Sequence, residues 1–378
     1  MQENVETTKK VARNSAFEIL RIIAIIFIIA HHFSVHGGFN FGVYEETSLI
    51  IFNSTWINFI AQLGKVGVNL FILISAFYLI DNTRFKTKKF LAILLEMLSI
   101  SLVIGLIFYF KEKKEFTIPW LKSVLFPFGG SAWWYMTYYL LLYLLSPLLN
   151  LGLKAMNKKA HLILAITFTV IWSLLPTLIA KDYGFSNLGW FITLYFIGSY
   201  IKLYDVKLKM KTWLGILLSI GIFISWFMLK FWITRSYHGD NYYVLRIITW
   251  FNLINMNNAV QVLCTIILFL AFKNIEMKSI KPINLIASTT LTIYLIHDSD
   301  DIRHYLWLKL FKNASYAAYP KLFIYSIGVI MAVFAMGVVL GLIYRYTLGL
   351  GYNKLLNILD RKFLYKIDEN FNSKDSNN

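Results

Sequence analysis

The sequence holds one cysteine in 378 residues, Cys264, which excludes any disulfide within the chain. Charge is scarce as well. Asp, Glu, Lys and Arg make up 15% of residues against 58% hydrophobic ones, where a soluble domain carries about 25% charged residues. Acidic side chains are the scarcer sign, 20 against 37 Lys and Arg, for a net charge of +17. Such an excess points to nucleic acid only when it is clustered on a soluble domain. No stretch of this sequence reads as one, so no nucleic-acid partner is expected and membrane asymmetry accounts for the charge. No small-residue cleavage site follows the first apolar run, which is therefore expected to be a retained spanning helix. No inverted internal repeat of the transporter kind is visible.

What the sequence has in quantity is long apolar runs. A soluble core cannot absorb many runs of about 18 residues or more. The fold class expected is an all-α polytopic integral membrane protein of about ten transmembrane helices. The segments are 17–36, 57–80, 90–110, 132–152, 161–180, 188–204, 213–232, 257–272, 284–304 and 322–345. Most lysines and arginines between them fall on one side, which places both termini in the cytoplasm. The run Lys111 to Lys114 stands against this orientation. Residues 1–345 form the transmembrane unit. Residues 346–378 are a cytoplasmic tail in which Leu355, Leu356, Leu359 and Phe363 alternate with Lys354, Arg361 and Lys362, a pattern for a helix on the membrane surface. The longest loops, 37–56, 111–131 and 233–256, fall outside and are rich in Trp, Tyr, Phe, Asn and Gly. That composition suits interfacial anchoring and equally sugar binding on ring faces.

The first apolar segment, Phe17 to His36, carries Glu18, Arg21, His31, His32 and His36. Ionisable residues inside a membrane span are expensive and mark candidate functional sites. A helix turns about 100° per residue, so the eleven residues from Arg21 to His32 return to within roughly 20° of the start, about 16 Å further along. Arg21 and His32 therefore share a face. Glu18 can pair with Arg21 and orient it, His36 shares the face of His32, and His31 points about 100° away. His32 and His36 have the spacing of a metal pair, but no further ligand stands at ligand spacing nearby, so no metal is expected.

Three other stretches matter. GKVGVNLFILISAFYLI (64–80) places Gly64, Gly67, Asn69, Ser75 and Ala76 in an apolar run, where small and polar residues support close helix contact. Behind it stand Arg84, Lys86, Lys88 and Lys89, which obey the positive-inside rule and are also suited to phosphates of an anionic cytoplasmic ligand. Residues 131–150 open with Trp133, Trp134, Tyr135, Tyr138 and Tyr139, an aromatic girdle at the outer face. The ninth segment ends in His297, Asp298, Asp300, Asp301, Arg303 and His304. A solvated charged end explains most of these, whereas His297 falls at the depth of His32.

These stretches resemble one family. FEILRIIAIIFIIAHHFS, with ten residues between Arg21 and His32, is similar to the first helix of the acyltransferase-3 family of integral membrane acyltransferases. GKVGVNLFILISAFYLI resembles that family's second helix, with Ala76 where Gly is usual. The stretches from Trp133 and Thr290 resemble two further elements in the same order. The basic motif, usually arginines, is Lys86, Lys88 and Lys89 here, without the bidentate fork. The likeness is nearest to polysaccharide-modifying O-acetyltransferases of Gram-positive bacteria. It implies transfer of an acyl group, commonly acetyl, from cytoplasmic acyl-CoA to a hydroxyl of a cell-surface or lipid-linked glycan, with no permanently bound cofactor, in a bacterial plasma membrane. On this reading His32 is the catalytic imidazole, with Arg21 at the donor and His297 orienting a substrate. Arg21, Arg84, Lys86, Lys88 and Lys89 hold the donor, Trp133, Trp134, Tyr135 and Tyr138 hold the acceptor, and Glu18, Asn69 and Ser75 support the site. The alternative from another class is a transporter or flippase of a glycan or small molecule, whose path the same buried charges would line. Acceptor, acyl chain and oligomeric state stay open at this point.

Overall fold

The computed structural model describes residues 14–112, 117–128, 133–179, 186–237 and 255–372. Lys9, Lys10, Arg13, Lys113, Lys114 and most of the expected loop 233–256 lie outside the described residues. Helices account for the regular structure, and no strand occurs among the described residues. In chain order they are α1 (Ser15–Val35), α2 (Ser48–Leu79), α3 (Thr87–Glu112), α4 (Ile118–Leu125), α5 (Trp134–Ala155), α6 (Lys158–Ile179, with a π turn over Val170–Leu174), α7 (Asn187–Leu203), α8 (Thr212–Ser236) and α9 (Ala259–Lys273). Then come α10 (Lys281–Ala287), α11 (Thr290–His297), α12 (Asp300–His304), α13 (Leu322–Tyr346), α14 (Leu348–Leu359) and α15 (Tyr365–Asn372).

Seven of these helices, α1, α2, α3, α5, α6, α8 and α13, are long and apolar enough to cross a membrane. The protein is an all-α, multi-pass membrane protein. The other three expected segments have helices at the expected places, but shorter ones. α7 has 17 residues and α9 has 15, so at 1.5 Å per residue they rise about 26 and 22 Å. Both are largely buried among their neighbours. The ninth segment is not one helix. It breaks between Ala287 and Thr290 and again at Asp298–Ser299. Non-helical backbone at membrane depth is tolerated where it is enclosed by protein or lines a cavity, and Asp298 at the second break is 2% exposed.

α1 is the central element, packed most extensively on α2 and also on α9, α10, α11 and α13. Its N-terminus is fixed by capping. The Asn14 side chain accepts from the Ala16 N–H at 2.9 Å and donates to the Ile275 carbonyl at 3.2 Å. The Ser15 hydroxyl donates to Asn284 at 2.9 Å and accepts from the Ile280 N–H at 2.7 Å. The start of α1 is thereby tied to the segment that leads into the broken ninth span.

α2 begins at Ser48, capped by the Thr47 hydroxyl, earlier than the expected 57. The last part of the expected loop 37–56 is therefore helix. Its glycines explain how closely α2 approaches α1. A Cβ at Gly64 would collide with the His31 side chain, and one at Gly67 would stand 2.5 Å from the Ala24 carbonyl oxygen. Ala76, where Gly is usual in the resemblance, is accommodated by Gly198 of α7, whose missing side chain leaves the space its methyl needs. Asn69 is fully buried and bridges two elements, donating to the Met256 carbonyl at 2.7 Å and accepting from Trp190 Nε1 at 3.0 Å.

The tail folds back on the start of α3. Asp360 pairs with Lys88 at 3.0 Å and Asp368 accepts from the Thr87 N–H at 3.0 Å. Leu356 is buried there, while Leu355, Ile358 and Phe363 remain exposed.

Candidate active site

A cavity of about 520 Å³ lies against α1 and is closed by α2, α3, α5 and α11. Arg21, His31, His32 and His36 all line it. The helical spacing had placed Arg21, His32 and His36 together, and the structure does so. It departs from the spacing argument at His31. That ring turns to α2, where its Nδ1 bonds the Ala61 carbonyl and its Cβ rests on Gly64, yet it still reaches the cavity wall.

The fixed point of the site is a chain of two imidazoles. His297 Nδ1 lies 2.6 Å from the Ile293 carbonyl oxygen, which can only accept, so this nitrogen carries the proton. A neutral His297 then has its lone pair on Nε2. That nitrogen is 3.0 Å from His32 Nδ1, which must therefore donate. The tautomer of His32 follows: Nδ1 bears the hydrogen, and Nε2 is the lone-pair nitrogen of a ring that lines the cavity. Asp298 Oδ1 stands 3.4 Å from the same Nδ1, and Arg303 holds that carboxylate through Nε at 3.1 Å and Nη2 at 3.0 Å. The break at Asp298–Ser299 brings all three groups inward. The charged end of the ninth segment is thus split. Asp298 and Arg303 belong to the cavity, and Asp300 stays largely exposed.

Arg21 is held by Glu18, with Nη1 at 2.7 and 2.9 Å from the two carboxylate oxygens, and lies over the Tyr78 ring at 5.7 Å. Glu18 thus has the supporting contact expected of it. Arg21 also lines a second cavity of about 940 Å³ toward the start of α1, walled by Lys202, Lys207 and Lys273 with Asp81 and Asp205. Arg21 thus lines both spaces. The lysines of the second cavity are already paired: Lys202 with Asp81 at 3.5 Å, and Lys207 and Lys273 with Asp205 at 3.2 and 2.7 Å. Lys273 and Lys207 hold the Asp205 carboxyl below its ordinary range by hydrogen bonding.

The basic group expected to hold the donor stands outside both cavities. None of Arg84, Lys86, Lys88 and Lys89 lines either cavity. Lys88 is committed to Asp360, Lys89 lies over the Tyr143 ring at 5.4 Å, and Arg84 and Lys86 are exposed. Lys89 stands within the field of Arg21. The tail takes up Lys88 at the start of α3, a tertiary contact that positive-inside counting does not register.

The aromatic girdle divides in the same way. Trp134 and Tyr135 line the cavity. Trp133 is 3% exposed in the core and Tyr138 packs against Phe191 at 6.4 Å, so neither reaches it. Tyr139 does, one turn on from Tyr135 and stacked on it. Ser75 lines the cavity too. Lys65 also lines the cavity, with its ammonium 5.4 Å from the Trp134 ring centre. The signal for Lys65 was present in the sequence as a cation inside an apolar span.

Ligand atoms of His32, His36 and Asp298 lie within 4.8 Å of one another. Sequence spacing around His32 and His36 offered no third donor, and the fold supplies Asp298 from the ninth segment. Its carboxylate is already neutralised by Arg303.

A family model described as an acyltransferase domain matches residues 14–345. No curated protein and no solved structure matches the chain.

Proposed function

Because the chain belongs to the acyltransferase-3 family over residues 14–345 and is a membrane acyltransferase, we propose that it moves an acetyl group from cytoplasmic acetyl-CoA to a hydroxyl of a cell-surface or lipid-linked glycan, in a bacterial plasma membrane with both termini inside. The observation that carries this reading is the lone-pair Nε2 of His32 at a cavity that also reaches Arg21. A thioester must meet an alcohol, and a neutral imidazole is the ordinary base for that proton.

The step is as follows. The acceptor hydroxyl gives its proton to His32 Nε2 while its oxygen bonds to the thioester carbonyl carbon. The C–S bond then breaks, and the proton passes from His32 to the sulfur of the departing CoA. His297 keeps His32 in the accepting tautomer. Asp298, held by Arg303, stabilises the imidazolium formed in between. The donor arm enters past Arg21 from the second cavity. The acceptor sugar lies against Trp134 and Tyr135, whose rings suit a sugar face.

The test is transfer of a radiolabelled acetyl group from acetyl-CoA to isolated envelope glycan by purified protein in lipid nanodiscs. Labelled ester on the glycan, released by mild alkali, with one CoA thiol freed per ester, is the expected result. Glycan movement across liposomes without any CoA release would favour the transporter reading instead.

A further inference from the structure

We propose that Lys65 is the oxyanion-stabilising residue of the transfer, the group that receives the charge developing on the thioester carbonyl oxygen. The inference rests on the acyl-CoA reading above. An acyl transfer needs a donor aimed at that oxygen, near enough to the base that one reacting centre reaches both. Three cations line the cavity: Arg21, Lys65 and Arg303.

Arg21 does not meet the requirement. It is about 16 Å of helical rise from His32. Helical side chains lean toward the N-terminus, away from His32, and there both carboxylate oxygens of Glu18 hold Nη1 at 2.7 and 2.9 Å. Arg303 is also committed, to Asp298 through Nε and Nη2 and to Asp300 at 3.4 Å.

Lys65 is the cation left. On α2 it stands between Gly64, which packs on His31, and Gly67, which packs on Ala24 and Ile28. That register sets it at the turn of α1 that carries His31, and its side chain leans toward the N-terminus of α2, to the side of Trp134 and of Asp298, the carboxylate beside His32. It forms no ion pair or hydrogen bond with any described residue. Its ammonium is held over the Trp134 ring at 5.4 Å and stands within the field of Asp298. An ammonium inside a spanning helix without an anionic partner is costly, and a transient oxyanion supplies the partner only during reaction. The attack converts the carbonyl π pair into a lone pair on oxygen opposite Lys65. Collapse returns that pair to the carbon as the C–S bond breaks, so the ammonium neither gains nor loses a proton. A contact made only to the transition state raises turnover and not ground-state affinity.

The experiment compares wild type, Lys65→Met, and a Lys65→Cys variant in a Cys264→Ala background, all in nanodiscs with acetyl-CoA and glycan. Lys65→Met should lower kcat by about 10²- to 10³-fold with both KM values nearly unchanged. Alkylating the introduced thiol of the Lys65→Cys variant with 2-bromoethylamine rebuilds an ammonium and should recover at least about tenfold in kcat, where bromoethane recovers none. A normal kcat in Lys65→Met, a raised KM for one substrate at unchanged kcat, or equal recovery with bromoethane would each overturn the assignment. A wild-type protein that transfers no acetyl group from acetyl-CoA would overturn the donor reading itself, which separates the two failures.

Discussion

Replacing His32 by Ala is expected to reduce acyl transfer by about 10²- to 10⁴-fold, the usual contribution of a general base. His31→Ala should do much less, although both rings reach the cavity. The difference lies in what their nitrogens are doing. His31 spends Nδ1 on the Ala61 carbonyl and braces the α1–α2 contact at Gly64. His32 has its Nδ1–H fixed by His297, with Asp298 alongside, and so presents a defined accepting nitrogen. His297→Gln retains an acceptor for that N–H and should keep more activity than His297→Ala, since the role is to hold a tautomer. The comparison requires equal amounts of folded protein, checked by size exclusion. An active His32→Ala beside a dead His31→Ala would reverse the assignment.

Removing Arg21 is expected to have the second largest effect, and its origin is different. Glu18 is 4% exposed and has Arg21 as its ion-pair partner. Breaking a buried pair from one side strands a charge and costs about 3–5 kcal/mol. Arg21→Met should therefore lower both stability and activity. A Glu18→Gln, Arg21→Met double variant should regain most of the stability and none of the donor affinity. Arg21→Lys should insert and fold yet bind acetyl-CoA more weakly, because a point charge does not replace the planar fork. Thermal unfolding in detergent and the KM for acetyl-CoA separate these effects. If the double variant bound acetyl-CoA as wild type does, Arg21 would be a structural residue and not part of the donor path.

Much of this was legible because helices have a fixed period. Arg21 and His32 meet one cavity as their eleven-residue spacing requires, and Glu18 reaches Arg21 over three residues. The glycines of α2 announced a close crossing. What was not legible depends on contacts between distant parts of the chain. Asp298 and Arg303 read as a solvated helix end because nothing local indicates that the ninth span breaks and turns them inward. The pairing of Lys88 could not be read because its partner Asp360 lies in the tail, far along the chain. Trp133 and Trp134 are neighbours of one type, and only the packing of α5 decides that the second faces the cavity and the first the core.

The central claim is that one cavity joins a cytoplasmic acyl donor at Arg21 to an acceptor at His32. Sided transfer in proteoliposomes tests it most directly. The protein is reconstituted with its cytoplasmic face outward, glycan acceptor is sealed inside, and labelled acetyl-CoA is added only outside. The account predicts labelled acetyl ester on the enclosed glycan, CoA freed only outside, and neither product with His32→Ala. Ester formation that survives His32→Ala, or that needs acetyl-CoA on the same side as the glycan, would contradict it.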